Sequence, residues 1–435
     1  MEGGKNFRFR FLGLTLTFLL FMGSLAFGAE PEAPSPPAAP PSPELEAVPL
    51  EILIRYAKRE NPEILSAKAE WLAATKRIWI DSSLPDPMVT LAPGDMEKKF
   101  EVSQEIPFPV KLAERRKMAK RESERAHFRY LAIEREVVNR LIKAYYDLYF
   151  TDASIAVIEE IKALLKRFES VAQARYSNLS GAQRDVAKAQ AEVSLSLERL
   201  YALKQQREST AALINALLNR DPMEPVAKAV LPEKPALKLT LIELVNLAVT
   251  NRQEIQAAEA EVAKSGVARR LAKLAYLPDL NVGFEYTRSD KEGNSWMIPI
   301  RFNVPLWQNR IIPEIQEAKQ LEEARKADLL RAKNETFFEV KDSFYRFDSA
   351  MKIADLYELA VIPQARLALK SDQAGYEASK TDFLNLLDSE RIYFNAKLSH
   401  VQFTTEALKA HADLERATGL DFEEPLPEES EKSNA

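Results

Sequence analysis

No cysteine occurs anywhere in the chain, which excludes disulfides, thiolate metal sites, a cysteine nucleophile and a lipid-modified N-terminal cysteine. Glycine is scarce, at 12 in 435 residues, and neither a phosphate-binding glycine loop nor a nucleophile elbow can be found. Histidine is scarcer: His127, His400 and His411 lie on separate stretches without metal-ligand spacing and read as surface or packing residues. Between Pro109 and Pro222 there is no proline at all, and Gly181 is the one glycine. Ala, Leu, Glu, Lys, Arg and Gln fill that region instead, the composition of long helices rather than of a compact α/β enzyme. The formal net charge is only −5, which gives no reason to expect a nucleic-acid partner. Acidic clusters such as "EEPLPEESE" read as tail charge, not as an acid and base pair. These absences predict a protein that is not an enzyme and holds no cofactor or metal.

What is present begins with the ends of the chain. Lys5, Arg8 and Arg10 precede the apolar run "FLGLTLTFLLFMGSLAFG", which ends in small residues, so residues 1–28 read as a signal peptide. A membrane anchor is the alternative for a run of that length; its polar Thr15, Thr17 and Ser24 favour cleavage. Residues 29–49, rich in Pro and Ala, read as an extended tether, and 421–435 as an acidic disordered tail.

Comparison of the chain with itself gives two copies of one unit, 50–220 and 241–420, joined by a linker over 221–240. "LIRYAKRENPEIL" pairs with "LVNLAVTNRQEIQ", "LPDPMV" with "LPDLNV", "KAYYDL" with "DSFYRF", and "ARY" with "AGY", in one order. "QEIPFPVKL" (104–112) and "FNVPLWQNR" (302–310) form a further pair, each placed before a long helical run. Each copy reads as a helix (about 50–83 and 241–276), two strands (about 87–106 and 280–304), and two long helices joined at a tip. Those helices are expected at about 110–178 and 182–218, then at 310–375 and 380–418, with Pro363 kinking or dividing the third.

The strand pattern is clearest in the second copy. Val282, Phe284 and Tyr286 alternate with polar or small residues, then Trp296, Ile298, Ile300, Phe302 and Val304 do the same, with "SDKEGN" as the turn. A soluble hairpin over a core would alternate in the same way. Here the neighbouring helices are too long to cover so short a hairpin, and four strands cannot close a membrane barrel. If these strands enter a bilayer, several subunits must pool them. Apolar positions along 110–178, from Val137, Leu141, Ala144 and Leu148 to Ile158, Ile161, Leu165, Phe168 and Ala172, step by threes and fours in the manner of a coiled coil.

Five motifs in order, "ENPEI" (60–64), "QEIPFPVKL", "RDVAKAQAE" (184–192), "IPQA" (362–365) and "DFLNLLDSER" (382–391), resemble the TolC-like family of outer membrane efflux channels. The resemblance implies an α+β chain, mainly long α-helices, that forms a homotrimer in outer membrane lipid. Its twelve strands would make one β-barrel, continued into the periplasm by a twelve-helix tunnel. It also implies a periplasmic adaptor and an inner membrane pump as partners, with the chain as passive exit duct. Asn385 and Asp388 fall on the family's two acidic constriction positions, so one acid remains. Asp185 occupies the acidic side of the family's tip link, while Thr381, with Lys380 beside it, stands on the basic side. Tyr376 is expected near the same link. Glycines usual at both tips are replaced by Leu179 and Ser379, which leaves Asn178 or Gly181 to supply any left-handed turn in the first. Pro107, Pro109, Pro305 and Trp307 are expected at the junction of barrel and tunnel. The rival reading is a periplasmic coiled-coil adaptor or structural protein, which would have a single hairpin flanked by glycine-rich β domains.

Overall fold

A computed structural model describes residues 49–422 apart from 95, 96, 233, 236 and 290–292. The expected signal peptide, the tether up to residue 48, the tail beyond 422 and the middle of the "SDKEGN" turn lie outside the described residues. The first half runs α1 (Leu50–Glu60), α2 (Pro62–Ser82), β1 (Met88–Pro93), β2 (Glu97–Ile106), α3 (Pro109–Ser177) and α4 (Gln183–Leu217). The second half repeats that order: α5 (Leu241–Asn251), α6 (Gln253–Lys273), β3 (Leu280–Ser289), β4 (Gly293–Met297), β5 (Ile300–Phe302), α7 (Gln308–Leu356), α8 (Ile362–Glu377) and α9 (Phe383–Thr418). At ~1.5 Å per residue, α3 alone spans about 100 Å.

Three expected elements are divided. The opening helix of each copy breaks once, because one residue in each takes an extended backbone. Asn61 does so ahead of Pro62, which disfavours helix in the residue before it. Its side chain accepts from the Glu63 and Ile64 amides at 2.9 and 3.2 Å and donates to the Leu217 carbonyl at 2.8 Å, so the break carries its own cap. Arg252 makes the second break without proline; it is buried and held by Glu254 and Glu339. The third division falls at Tyr357–Val361, one π-helical turn between α7 and α8. Pro363 offers no N–H to the preceding turn and its ring crowds the carbonyl there, and the wider winding accommodates both.

The strands form one antiparallel sheet in the order β1-β2-β3, with β4 and β5 both paired to β3. The β2–β3 ladder joins the two copies, from Glu97↔Ser289 to Ile106↔Leu280. β4 and β5 keep a single register against β3, and the interruption between them contains Pro299, which has no donor. The Gly283 amide donates to the Pro299 carbonyl at 2.9 Å, and a Cβ at Gly283 would stand 3.1 Å from the proline ring. Side chains alternate strictly. Phe100, Val102, Val282, Phe284, Tyr286, Trp296, Ile300 and Phe302 share one face; Lys99, Glu101, Ser103, Glu285 and Arg301 share the other. The apolar face is uncovered in the single chain. Among the described residues no helix is long and apolar enough to cross a membrane.

The helices bury two principal apolar clusters. One joins α1, α3, α4 and α9 through Leu53, Val137, Leu141, Leu148, Ile214 and Leu408. The other runs toward the tips and joins α3, α4, α8 and α9 through Ile158, Ile161, Leu165, Phe168, Leu200 and Phe383.

Candidate functional site: hairpin tips and the sheet–helix junction

The two hairpin tips share one backbone design. Leu179 and Ser379 sit at φ 57° and 58°, just past the ends of α3 and α8. At the first tip the Ser180 amide donates to the Arg175 carbonyl at 2.9 Å and the Leu179 amide to the Tyr176 carbonyl at 3.0 Å. Lys380 to Gly375 (2.8 Å) and Ser379 to Tyr376 (3.1 Å) repeat the pattern. This is the Schellman ending of a helix, which requires its left-handed residue at that one position. The expectation that Asn178 or Gly181 would supply the first turn is therefore corrected: Leu179 supplies it, with its side chain in water.

Glycine is used at the tips for close approach. A Cβ on Gly181 would lie 2.9 Å from the Arg175 Cβ, and one on Gly375 would lie 2.1 Å from the Thr381 hydroxyl oxygen. Positions 175 and 181 correspond to 375 and 381, so each tip keeps one glycine of the facing pair and the two tips place it on opposite sides. Arg175 thus has room to lie across its own tip.

From there Arg175 reaches the second hairpin. Nη1 donates to the Tyr376 carbonyl, Nη2 to Ser379 Oγ at 3.0 Å and to the Ser180 carbonyl at 3.2 Å, and the guanidinium lies 4.5 Å from the Tyr376 ring centre. Sequence reasoning missed this residue; the "ARY" and "AGY" pairing was its one trace. The Tyr376 hydroxyl is buried without a hydrogen-bond partner. Burial first, then the nearby Asp185 charge, push it above its ordinary value. Asp185 is itself buried, with Arg184 Nε 3.7 Å away. Among the described residues it makes no ion pair with Lys380 and no hydrogen bond with Thr381; both of those are at the second tip. Asn385 and Asp388 lie together on the exposed side of α9, one turn apart.

At the other end of the long helices, Asp279 ties the sheet to the helices. Its carboxylate accepts from the Phe108 amide at 2.9 Å and from Lys111 Nζ at 2.8 and 2.9 Å; Lys111 Nζ also reaches the Leu277 carbonyl at 2.8 Å. The Asp279 amide donates to Asn303 Oδ1 at 2.5 Å. Burial opposes the Asp279 charge, but Lys111 and the Phe108 amide outweigh it and hold the carboxyl below its usual range. Pro107 follows the last β2 ladder residue and Pro109 is the first residue of α3. Pro305 lies in the connector after β5, and Trp307 caps α7 with its ring exposed. Asp279 and Lys111 belong to "LPDLNV" and "QEIPFPVKL", but neither motif alone reveals that they meet.

The histidines stay apart: His127 packs against Trp71, His411 against Phe347 and Phe422, and His400 Nε2 lies 3.9 Å from the Glu358 carboxylate. No group of three or more potential metal ligands occurs among the described residues.

The sequence profile of the outer membrane efflux protein family matches residues 244–420. Over those residues the chain is similar to the outer membrane efflux protein family. Relatives include the cobalt-zinc-cadmium resistance protein CzcC of Cupriavidus metallidurans, 23% identical over 85% of this chain and 90% of the relative. The outer membrane protein TolC of Vibrio cholerae is 23% identical over 79% of this chain and 84% of its own length. Among solved structures, the outer membrane protein VceC of Vibrio cholerae aligns with a TM-score of 0.76 at 16% identity, over 86% of this chain and 96% of that one. The MtrE channel of Neisseria gonorrhoeae aligns with 0.73 at 17% identity, over 85% and 89%. The fold is therefore TolC-like, mostly helical with a small sheet, and it has two long hairpins where a single-hairpin adaptor would have one.

Proposed function

We propose that this chain is the exit duct of a tripartite efflux system, lying in the outer membrane and extending into the periplasm. Transport through it is passive. One observation carries the rest of the reading: the sheet, in which β4 and β5 continue one interrupted strand so that four strand positions lie side by side, has an apolar face with no cover and open edges at β1 and at β4/β5. An open edge in hydrocarbon leaves amides and carbonyls unsatisfied. Three copies meeting edge to edge close a twelve-stranded barrel, with Lys99, Glu101, Glu285 and Arg301 toward its water-filled lumen. Beneath it the long helices of three copies pool into the tunnel, and the junction lies at Pro107, Pro109, Pro305 and Trp307.

The tips form the gate. Asp388, with Asn385 beside it, is proposed to line the constriction, where a threefold ring of carboxylates attracts cations. Asp185, Tyr376, Lys380 and Thr381 surround the link between tips, and Arg175 is its principal member. A periplasmic adaptor and an inner membrane pump complete the assembly, with adaptor binding biasing the tips toward the open state. The relatives are named for cobalt, zinc and cadmium resistance and for pyoverdine export, so the choice of cargo is proposed to lie with the pump.

The constriction is tested in planar bilayers. Asp388→Ala is expected to lower cation over anion selectivity by about threefold at 0.1 M salt, where screening acts over ~10 Å, and to raise conductance. Wild-type selectivity and conductance in the variant would remove Asp388 from the constriction.

A further inference from the structure

The stripe of α9 that faces the first hairpin is apolar at Phe383, Leu386, Leu387 and Phe394, all buried. Glu390 lies on the same stripe, seven residues after Phe383 and four before Phe394, the spacing that puts helix positions on one face. Its side chain is 3% exposed and has no hydrogen bond or ion pair among the described residues. A carboxyl so placed is tolerated when neutral and costly when ionised.

Its surroundings sharpen the point. From α3 the same cluster presents apolar Ile161, Leu165 and Phe168. On α8, Leu369 and Tyr376 belong to it, and Asp372 is engaged by the Ser389 hydroxyl. The charged groups acting on Glu390 are Glu192 and Arg199 of α4 and its own neighbour Arg391, and Arg391 is ion-paired to Glu192. Burial, reinforced by Glu192 and opposed by Arg391 and Arg199, pushes the Glu390 carboxyl up to about 7.

We propose that Glu390 is a proton-operated lock on the packing of the two hairpins near their tips. Protonated, it completes the apolar layer between α9 and the first hairpin. Ionised, it draws water into that layer and forces the hairpins apart. Because the folded group binds its proton more tightly than an unfolded carboxyl, the stabilisation is complete below the ordinary carboxylate range and is lost as pH rises through about 7. The consequence for conduction rests on the reading that the tips are the gate; the lock itself does not.

Hydrogen–deuterium exchange on the full-length purified protein, corrected for the intrinsic pH dependence of exchange, tests it. A group titrating near 7 goes from roughly one-tenth to nine-tenths ionised between pH 6 and pH 8. Amides of 186–200 and 383–396 should accordingly lose about tenfold in protection over that interval. Glu390→Gln, neutral at every pH, should keep the protected level throughout. Glu192→Gln, which removes the facing acid and frees Arg391, should move the transition to lower pH. A wild-type protein without the pH response, or Glu390→Gln with an undiminished one, would overturn the proposal, as would a transition that Glu192→Gln leaves in place. The exchange readout needs no current, so loss of the gate reading and loss of the lock are separately visible.

Discussion

Asp279 makes more contacts across the fold than its place in "LPDLNV" suggests. One carboxylate receives the amide between Pro107 and Pro109 and the ammonium of Lys111, while its own amide donates to Asn303. The double proline breaks the chain, and Asp279 holds the break in one geometry. Asp279→Asn keeps the shape but leaves Lys111 partly buried without its charge partner, a loss of about 1–3 kcal/mol once partial solvent screening is allowed for. The expected outcome is a lower thermal midpoint and faster proteolysis near residues 107–112. Because the folded carboxyl binds its proton less tightly than an unfolded one, the Asp279 contribution is full above the unfolded value and fades as pH falls through the lower folded one. Wild type should thus approach the variant at low pH, and an equal gap at pH 3 and pH 7 would contradict the ion-pair account. Such contacts were not legible in the sequence, since each residue is ordinary in its own motif and the partners stand 168 positions apart.

At the scale of elements, helices, strands and tips could be read from period and punctuation, while the breaks inside helices were harder. Pro363 signals its π turn, and "ENPEI" contains the Asn-Pro that divides α1 from α2. Arg252 makes the matching break with no proline, because buried pairing with Glu339 fixes an extended backbone that local sequence does not favour. The left-handed turn of the first tip was misplaced for a related reason: helix-ending geometry selects the position, and Leu179 takes it at a cost of ~1–2 kcal/mol. The tip link shows the same limit. The resemblance pointed to an acid, Asp185, in the first hairpin, whereas Arg175, a base in that hairpin, spans to the Tyr376 carbonyl and ring. Arg175→Ala removes two interhairpin hydrogen bonds and a ring contact, about 2 kcal/mol for a half-exposed group, enough to raise the population of separated tips by roughly thirtyfold. More frequent openings of single channels should follow, and Arg175→Lys should restore only part of the closed state, since an ammonium lacks the planar fork. Unchanged opening frequency in Arg175→Ala would rule this link out.

For the whole molecule, one subunit is incomplete on its own terms. It exposes an apolar sheet face with two unpaired edges, and a helix about 100 Å long has more surface than one chain can cover. Long hairpins and alternating strands were legible from composition and period. The number three came from resemblance, because no property of one chain counts its partners. Both deficits are answered together if three copies share one barrel and one tunnel. The most direct test combines oligomer mass in detergent with conductance after reconstitution into a planar bilayer. The account predicts a particle of three chains that conducts ions as one pore, and a monomer or dimer, or a trimer that inserts without conducting, would contradict it.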